Sequence, residues 1–197
     1  MSVSFLYVRH GETLFNVTAR AQGWCDSPLT EQGMAQARAC AERLAGERID
    51  RAFCSPAGRA ADTAALVLAG RGVQAEPKPG LREMYFGELE GASIGEDPRV
   101  GELWERLDYT PVGGESAAQV IARIRATFEE LAGECAEGEQ ALVVSHRGYF
   151  LFMLAALFEW SLEDALLDPG SLDLIPNASV ARFSWEGGAW RLDAMPA

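Results

Sequence analysis

The sequence predicts an α/β fold, in which a mixed, mainly parallel sheet lies between two helical layers as a three-layer α/β/α sandwich. Two observations predict it. Short apolar runs, which are typical of buried strands, alternate along the chain with longer helical stretches. Near the end, two strand-like runs flank Gly187 and Gly188, a pattern that predicts an antiparallel hairpin. With 197 residues and 48% hydrophobic content, the chain is predicted to form a single domain over residues 1–197.

The predicted elements alternate in chain order. Strands are predicted at 3–8, 51–54, 74–78, 141–145, 180–185 and 189–193. Helices are predicted at 31–45, from 55 onward, at 117–135 and directly after 146. Thr30 is the expected N-cap of the first helix, and Ser55 followed by Pro56 predicts the start of the second. The segment 83–116, with its glycines and prolines, is predicted to be irregular.

The only two histidines of the chain, His10 and His146, each follow a predicted strand. In open α/β sheets, ligands bind just beyond the carboxyl ends of the strands, so the two imidazoles are expected to share one crevice. Arg9 precedes the first histidine and Arg147 follows the second. Because arginine binds phosphate through paired hydrogen bonds, this grouping indicates phosphate chemistry.

The strongest local signal is the run from Arg9 to Thr13, which reads Arg-His-Gly-Glu-Thr. An imidazole nitrogen can attack phosphorus and form a phosphohistidine, and the adjacent arginine can neutralise phosphoryl oxygens. Gly11 is expected to let the backbone approach a ligand closely. Taken alone, the run is equally compatible with a strand that merely ends in Arg-His.

Composition excludes several classes of partner. The formal net charge of −12 argues against binding nucleic acid or an anionic membrane surface, both of which select basic patches. The longest apolar run, 149–158, is too short to span a bilayer and is predicted to be a core helix. The start of the chain lacks the positively charged region of a secretion signal. The four cysteines (Cys25, Cys40, Cys54 and Cys135) are not spaced like zinc ligands or a disulfide framework, so we expect reduced thiols in a cytoplasmic protein without a metal.

Several motifs together resemble one family. The run from Arg9 to Thr13, then Asn16, and then Gln22-Gly23-x-x-Asp26-x-Pro28-Leu29-Thr30-x-x-Gly33, resembles the histidine phosphatase superfamily, the phosphoglycerate-mutase-like group. Later matches occur in the same order as in the family: Ser55-Pro56-x-x-Arg59-x-x-x-Thr63-Ala64, Leu81-x-Glu83-x-x-x-Gly87-x-x-Glu90-Gly91, Gly113-Gly114-Glu115-Ser116 and Val144-Ser145-His146. The matches extend over nearly the whole chain, so the resemblance implies a phosphoglycerate-mutase-like fold.

The resemblance also implies a role for each matched residue. His10 would be the nucleophile, and Glu83 would protonate the leaving oxygen and then activate water. Arg9, Arg59 and His146 would bind the phosphoryl group and its transition state. Secondary phosphate contacts would come from Asn16 and Gln22, for which an ordinary role in turns stays open. An exposed loop carboxylate is the alternative for Glu83.

Two departures from the family pattern bear on function. Where the family usually has glycine after the second histidine, this chain has Arg147, which would contact phosphate or substrate, or else only begin a helix. Cofactor-dependent phosphoglycerate mutases carry Arg and Tyr where this chain has Met84 and Phe86, and the long basic insertion of those mutases is missing. These differences favour a phosphatase.

The resulting prediction is a metal-independent phosphomonoester hydrolase that acts on a small phosphorylated metabolite through a phosphohistidine, with no cofactor. The alternatives are a cofactor-dependent phosphoglycerate mutase and a non-catalytic phosphate-binding adaptor. Segment 88–108 is expected to cover the substrate, and its acids are either a solvated face or a border of the pocket that repels a second anion. Those acids are Glu88, Glu90, Glu96, Asp97, Glu102, Glu105 and Asp108.

Overall fold

The computed structural model describes residues 1–167 and 174–196. Six strands form one sheet in the order β3-β2-β4-β1-β5-β6. The strands are β1 (Ser2–Arg9), β2 (Arg51–Cys54), β3 (Glu76–Pro77), β4 (Gln140–Ser145), β5 (Val180–Glu186) and β6 (Ala189–Ala194). The first four pair in parallel, whereas β5 is antiparallel to β1 and to β6. The predicted mixed, mainly parallel sheet and its terminal hairpin are therefore confirmed.

Helices cover both faces of the sheet. They are α1 (Leu14–Val17), α2 (Glu31–Arg43), α3 (Gly58–Val67), α4 (Pro98–Glu105), α5 (Ala117–Glu134) and α6 (Arg147–Phe158). Successive residues of β1 point to opposite sides, as a pleated strand requires. Phe5 and Tyr7 pack in the cluster with α5 and α6, whereas Leu6 and Val8 pack in the cluster with α2 and α3. The two clusters are the two interfaces of a three-layer sandwich.

Helix α6 is the most deeply buried helix of the sandwich. Nine of its residues are buried, from Gly148 to Leu157, so its apolar character extends all around the axis. Its C-cap, Glu159, adopts a left-handed conformation with φ of 62° and ends the helix. The prediction of a core helix at 149–158 is correct. None of the helices described is both long and apolar enough to cross a membrane.

Several helix predictions need correction. Helix α3 begins at Gly58 with Ala57 as its N-cap, and not at Ser55 and Pro56 as predicted. The Ser55 hydroxyl still accepts the Ala57 N–H, and it also contacts His146 Nε2. The segment 83–116 contains the regular helix α4, capped by Asp97 and started by Pro98. The sequence analysis also missed the single turn α1, which Thr13 and Asn16 cap reciprocally.

The parallel strands bring their carboxyl ends to one edge of the sheet. In the register of β1 and β4, Arg9 pairs with Ser145, so His10 and His146 follow at the same level. Strand β2 lies on the other side of β4, with Cys54 opposite Val144, and Ser55 follows it there. Gly11 packs against Gly33 rather than lining the crevice, since a Cβ at Gly11 would lie 2.4 Å from the Gly33 carbonyl oxygen. The expected crevice is thus formed at this edge.

Candidate active site

The two histidines lie together, as the strand pattern predicts. Their ring centroids are 5.3 Å apart, at an interplanar angle of 63°. His10 is 5% exposed and His146 is fully buried. The His10 Nδ1 lies 2.8 Å from the Gly11 carbonyl oxygen. Since a carbonyl oxygen can only accept, this contact places the proton on Nδ1 and leaves the lone pair of Nε2 available as a nucleophile.

Both imidazoles are held in the neutral form. Burial lowers the pKa of His10 well below its ordinary value, and the positive charges of Arg59 and Arg9 act in the same direction. Burial likewise lowers the pKa of His146, followed by the positive charge of Arg59. The Ser55 hydroxyl lies 2.8 Å from His146 Nε2 and accepts the Ala57 N–H at 3.3 Å, which favours a His146 proton on Nδ1.

Arg9 and Arg59 place two buried guanidiniums beside the histidines, with exposures of 7% and 1%. Arg9 Nη1 donates to the Ile175 carbonyl at 2.8 Å. Burial, followed by the charge of Arg147, lowers the pKa of Arg9 to about 9. In the part of the chain that the structure describes, the Nε atoms of Arg9 and Arg59 and the Nδ1 of His146 are buried without a hydrogen-bond partner. Buried polar nitrogens of this kind can bind an anion.

Most of the Arg59 guanidinium supports the loop that carries Gln22. Its Nη1 donates to the Asp26 carboxylate at 3.0 Å and to the Cys25 carbonyl at 3.0 Å, and its Nη2 donates to the Gly23 carbonyl at 2.8 Å. Glu90 holds the same loop from the other side, accepting the N–H groups of Trp24 and Cys25. Arg59 therefore combines a buried charge near His10 with a structural role that the motif alone did not reveal.

Glu83 also lines the crevice and is 7% exposed. Its carboxylate accepts two backbone hydrogen bonds, from Met84 to Oε1 and from Gly148 to Oε2, both at 2.9 Å. Burial raises the pKa of Glu83, while these two hydrogen bonds and the charge of Arg59 oppose the shift. The alternative of an exposed loop carboxylate is wrong, because the fold buries this side chain at the site.

Arg123, on α5, fixes the segment that carries Glu83 and was missed by the sequence analysis. Its guanidinium donates to the carbonyls of Gly80 and Arg82 at 3.0 and 2.7 Å, and pairs with Glu115 at 2.7 Å. Glu115 also accepts the Tyr85 N–H at 2.8 Å. Glu115 belongs to a family-like motif, but nothing in the helical pattern of 117–135 singles out Arg123.

Asn16 and Gln22, which were predicted as secondary phosphate contacts, both line the crevice. Asn16 and Gln22 are both engaged by Thr13: Asn16 Oδ1 accepts the Thr13 N–H at 3.1 Å, and Gln22 Oε1 accepts the Thr13 hydroxyl at 2.8 Å. Asn177 is a further lining residue that the sequence analysis did not identify, and it donates to the His10 carbonyl at 3.0 Å. These amides therefore border the nucleophile and also stabilise the loops around it.

Arg147 is the first residue of α6 and also lines the crevice, so its side chain does not point away from the site, and its contact to phosphate or substrate stays a prediction. The side chain is half-buried. Its positive charge is close enough to contribute to lowering the pKa values of Arg9 and His10. The residue that departs from the family pattern thus adds a third guanidinium near the nucleophile.

The crevice opens into a cavity of about 710 Å³. From segment 88–108 it is lined by Ile94, Val100, Gly101 and Trp104. None of the seven acids of that segment borders it, so the idea that these acids repel a second anion is wrong. Glu102 and Glu105 lie on the exposed face of α4, which buries Val100 and Leu103, and Glu90 binds the N–H groups of Trp24 and Cys25.

Within the described residues, no group of three or more His, Cys, Asp or Glu side chains is arranged to hold a metal ion. The four cysteines are unpaired thiols, and Cys25 is half-buried while the other three are buried. Burial raises the pKa of the Cys54 thiol to about 11, so it stays protonated and unreactive near neutral pH.

The chain is similar to known proteins over almost its whole length. Residues 5–196 match the model of the histidine phosphatase superfamily (branch 1). The adenosylcobalamin/alpha-ribazole phosphatase of Salmonella typhimurium is 32% identical over 189 residues, which are 93% of this chain and 86% of that protein. The 2,3-bisphosphoglycerate-dependent phosphoglycerate mutase 2 of Gloeobacter violaceus is 37% identical over 149 residues, 71% of this chain and 68% of that protein. The structure of Bacillus stearothermophilus YhfR superposes with a TM-score of 0.86 at 29% identity, covering 98% of this chain and 96% of that one.

The fold and the site define an α/β protein with a histidine-centred crevice at the carboxyl edge of a parallel sheet. The chain belongs to the histidine phosphatase superfamily, a family of enzymes whose members include phosphatases and phosphoglycerate mutases. The resemblance found in the motifs is therefore confirmed, as is the predicted fold.

Proposed function

We propose that this chain hydrolyses small phosphomonoesters through a phosphohistidine formed on His10. The observation that carries the proposal is the hydrogen bond from His10 Nδ1 to the Gly11 carbonyl, which leaves Nε2 nucleophilic beside buried guanidiniums. In the first step, Nε2 attacks phosphorus and forms an N–P bond as the P–O bond to the leaving alcohol breaks. Glu83 supplies the proton that the leaving oxygen needs.

In the second step, Glu83, now a carboxylate, accepts a proton from water. The resulting oxygen nucleophile attacks phosphorus, the N–P bond breaks, and inorganic phosphate leaves. Arg9 and Arg59 stabilise the charge on the equatorial oxygens with no rearrangement, because the fold already holds them in place. Neutral His146 contributes as a hydrogen-bonding group, and Arg147, Asn16 and Gln22 provide the outer contacts to phosphate. These positive charges allow the reaction to proceed without a metal, and the free thiols fit a reducing cytoplasm.

The phosphohistidine is tested by brief incubation with a radiolabelled phosphomonoester, followed by quenching in acid or in base. A phosphohistidine is lost in acid and retained in base. We expect a base-stable label in the wild type and none in the His10→Ala variant. A label that survives acid, or one that remains on His10→Ala, would contradict the assignment.

The second candidate function is a phosphoglycerate mutase, which the similarity to the Gloeobacter violaceus enzyme favours. Two positions support hydrolysis instead. Met84 is fully buried and Phe86 lines the cavity, so neither offers a polar group to a substrate carboxylate. Given 3-phosphoglycerate and 2,3-bisphosphoglycerate, the enzyme should release phosphate faster than it isomerises the substrate. Isomerisation well above hydrolysis would identify the chain as a mutase instead.

The proposed mechanism needs no metal ion, so a chelator should leave the rate of hydrolysis unchanged. Loss of activity in chelator that added Mg²⁺ restores would contradict a metal-independent mechanism.

A further inference from the structure

The cavity beyond the phosphate site has a mainly apolar wall. Six of its side chains come from three separate stretches of the chain: Phe15, Phe86, Ile94, Val100, Trp104 and Tyr109. The rings of Phe86 and Tyr109 are 4.8 Å apart, and Trp104 packs on the buried ring of Phe152 at 6.3 Å. A volume of about 710 Å³ is far more than a phosphoryl group needs.

This wall offers few hydrogen-bonding partners to a leaving group. The Tyr109 hydroxyl donates to the Val100 carbonyl at 2.7 Å and is thus already satisfied. Glu12 accepts the Thr30 hydroxyl at 2.7 Å, and Arg20 donates to the Gly91 carbonyl at 2.7 Å while its guanidinium lies over the Phe15 ring. A polyol would replace only part of its bonds to water along these apolar side chains, whereas an apolar group would gain by leaving water.

We infer that the preferred substrates are monoesters of a bulky apolar or aromatic alcohol, with a single anionic group. The inference rests on the proposed phosphatase activity and names its substrate class. The charge near the phosphate site agrees with it: Arg59 is already paired with Asp26, so one phosphoryl dianion balances the two remaining charges near His10, those of Arg9 and Arg147. The leaving part then extends along the wall that α4 provides, and its apolar surface replaces water against Val100 and Trp104.

Three aryl phosphates with nearly equal leaving-group acidity test this directly: phenyl phosphate, 4-butylphenyl phosphate and 4-(2-carboxyethyl)phenyl phosphate. We expect kcat/KM for the butyl ester to exceed that for the carboxyethyl ester at least tenfold, about 1.4 kcal/mol at 25 °C. Equal or higher kcat/KM for the carboxyethyl ester would overturn the inference, because it would mean that Arg20 or Arg147 selects a second anion.

The variant Gly101→Trp provides a structural test. Gly101 lies on α4 and lines the cavity, and a Cβ built there meets no atom within 4 Å, so the larger side chain can enter the cavity without disturbing the core. It should lower kcat/KM for the butyl ester at least tenfold more than kcat/KM for phenyl phosphate, whose ring extends less far along the wall. Gly133→Trp, on α5 with equally open space, is the matched control and should change neither. An unchanged butyl ester preference in Gly101→Trp would argue against this wall as the subsite.

A binding measurement distinguishes an error in the proposed subsite from an error in the proposed phosphatase activity. Calorimetry with 4-butylphenylphosphonate and phenylphosphonate needs no turnover, and the butyl compound should bind at least tenfold more tightly. If none of the esters is hydrolysed in a His10-dependent manner but the butyl phosphonate still binds more tightly, the phosphatase proposal fails and the subsite stands. If hydrolysis depends on His10 but neither turnover nor binding favours the butyl group, the subsite alone fails.

Discussion

The backbone of Gly148 and the carboxylate of Glu83 are in direct contact in the wall of the crevice. The Gly148 N–H donates to Glu83 Oε2 at 2.9 Å, and a Cβ at position 148 would stand 2.8 Å from Oε1. Only a residue without a side chain can therefore both approach and bind this carboxylate. The glycine after Arg147 thus belongs to the site that holds the proposed acid, although it carries no functional group.

We expect Gly148→Ala to displace Glu83 and to lower kcat for an alkyl phosphate by at least tenfold, because a general acid must lie within hydrogen-bond reach of the leaving oxygen. The free energy of unfolding should fall by roughly 1–3 kcal/mol, as for other overpacked sites. The matched control, Gly133→Ala on α5, has open space around its new Cβ and should not change kcat. Wild-type kcat in Gly148→Ala would contradict the role given to this contact.

Glu83→Gln should slow poor leaving groups more than good ones, because only the former need a proton. General acid catalysis contributes roughly 10²–10⁴-fold, so we expect a loss of that size for a simple alkyl phosphate and a much smaller one for 4-nitrophenyl phosphate. Burial raises the pKa of Glu83, so the acid form persists above the ordinary range of a glutamate, and wild-type kcat for the alkyl ester should fall as pH rises through that pKa. The variant should lack this alkaline decline. Equal losses for both esters would count against an acid role.

Arg147→Met removes the third guanidinium while keeping a residue whose helix propensity is close to that of arginine. Hydrogen bonds to charged groups contribute about 1.5–3 kcal/mol, so kcat/KM for a phosphomonoester should fall by roughly tenfold or more. Arg99→Met is a suitable control, since Arg99 pairs with Asp97 on the exterior and lies outside the cavity wall. If both variants behave like the wild type, Arg147 serves only to begin α6.

The neutral state of the buried histidines predicts a pH dependence of stability. The folded chain holds the pKa values of His10 and His146 well below about 6.5, the value for an unfolded histidine. As pH falls below that value, the unfolded chain takes up protons that the folded chain does not, so the free energy of unfolding decreases. Each such proton contributes up to about 1.4 kcal/mol per pH unit. His10→Gln has one group fewer and should lose less stability between pH 7.5 and 5.5 in urea unfolding experiments, with any contribution from Glu83 common to both chains. Equal losses would mean that His10 does not titrate differently in the two states.

Local patterns determined a large part of the fold and the site. The alternation of apolar runs and helical stretches was sufficient to predict the sheet and its terminal hairpin, because the apolar residues that indicate a buried strand lie within that strand. Thr30 was correctly predicted as an N-cap, since capping depends on the three residues that follow. The central pair, His10 and His146, could be predicted because parallel strands end at one edge of a sheet whatever their separation along the chain.

Other features depended on contacts between distant segments, and only the tertiary structure decided them. Ser55 is a good helix start by local rules, but its hydroxyl is bonded to His146, which is 91 residues away. The acids of segment 88–108 do not line the cavity, and two of them, Glu102 and Glu105, face outward because α4, which the sequence pattern did not predict, turns its apolar face inward. Arg123 supports the Glu83 segment through hydrogen bonds to backbone carbonyls. Because every residue has a carbonyl, no residue type in the sequence indicates these contacts. The sequence thus determined which chemical groups are present and at which sheet edge they lie, while side-chain packing decided which of them face the substrate cavity and which support the groups that do.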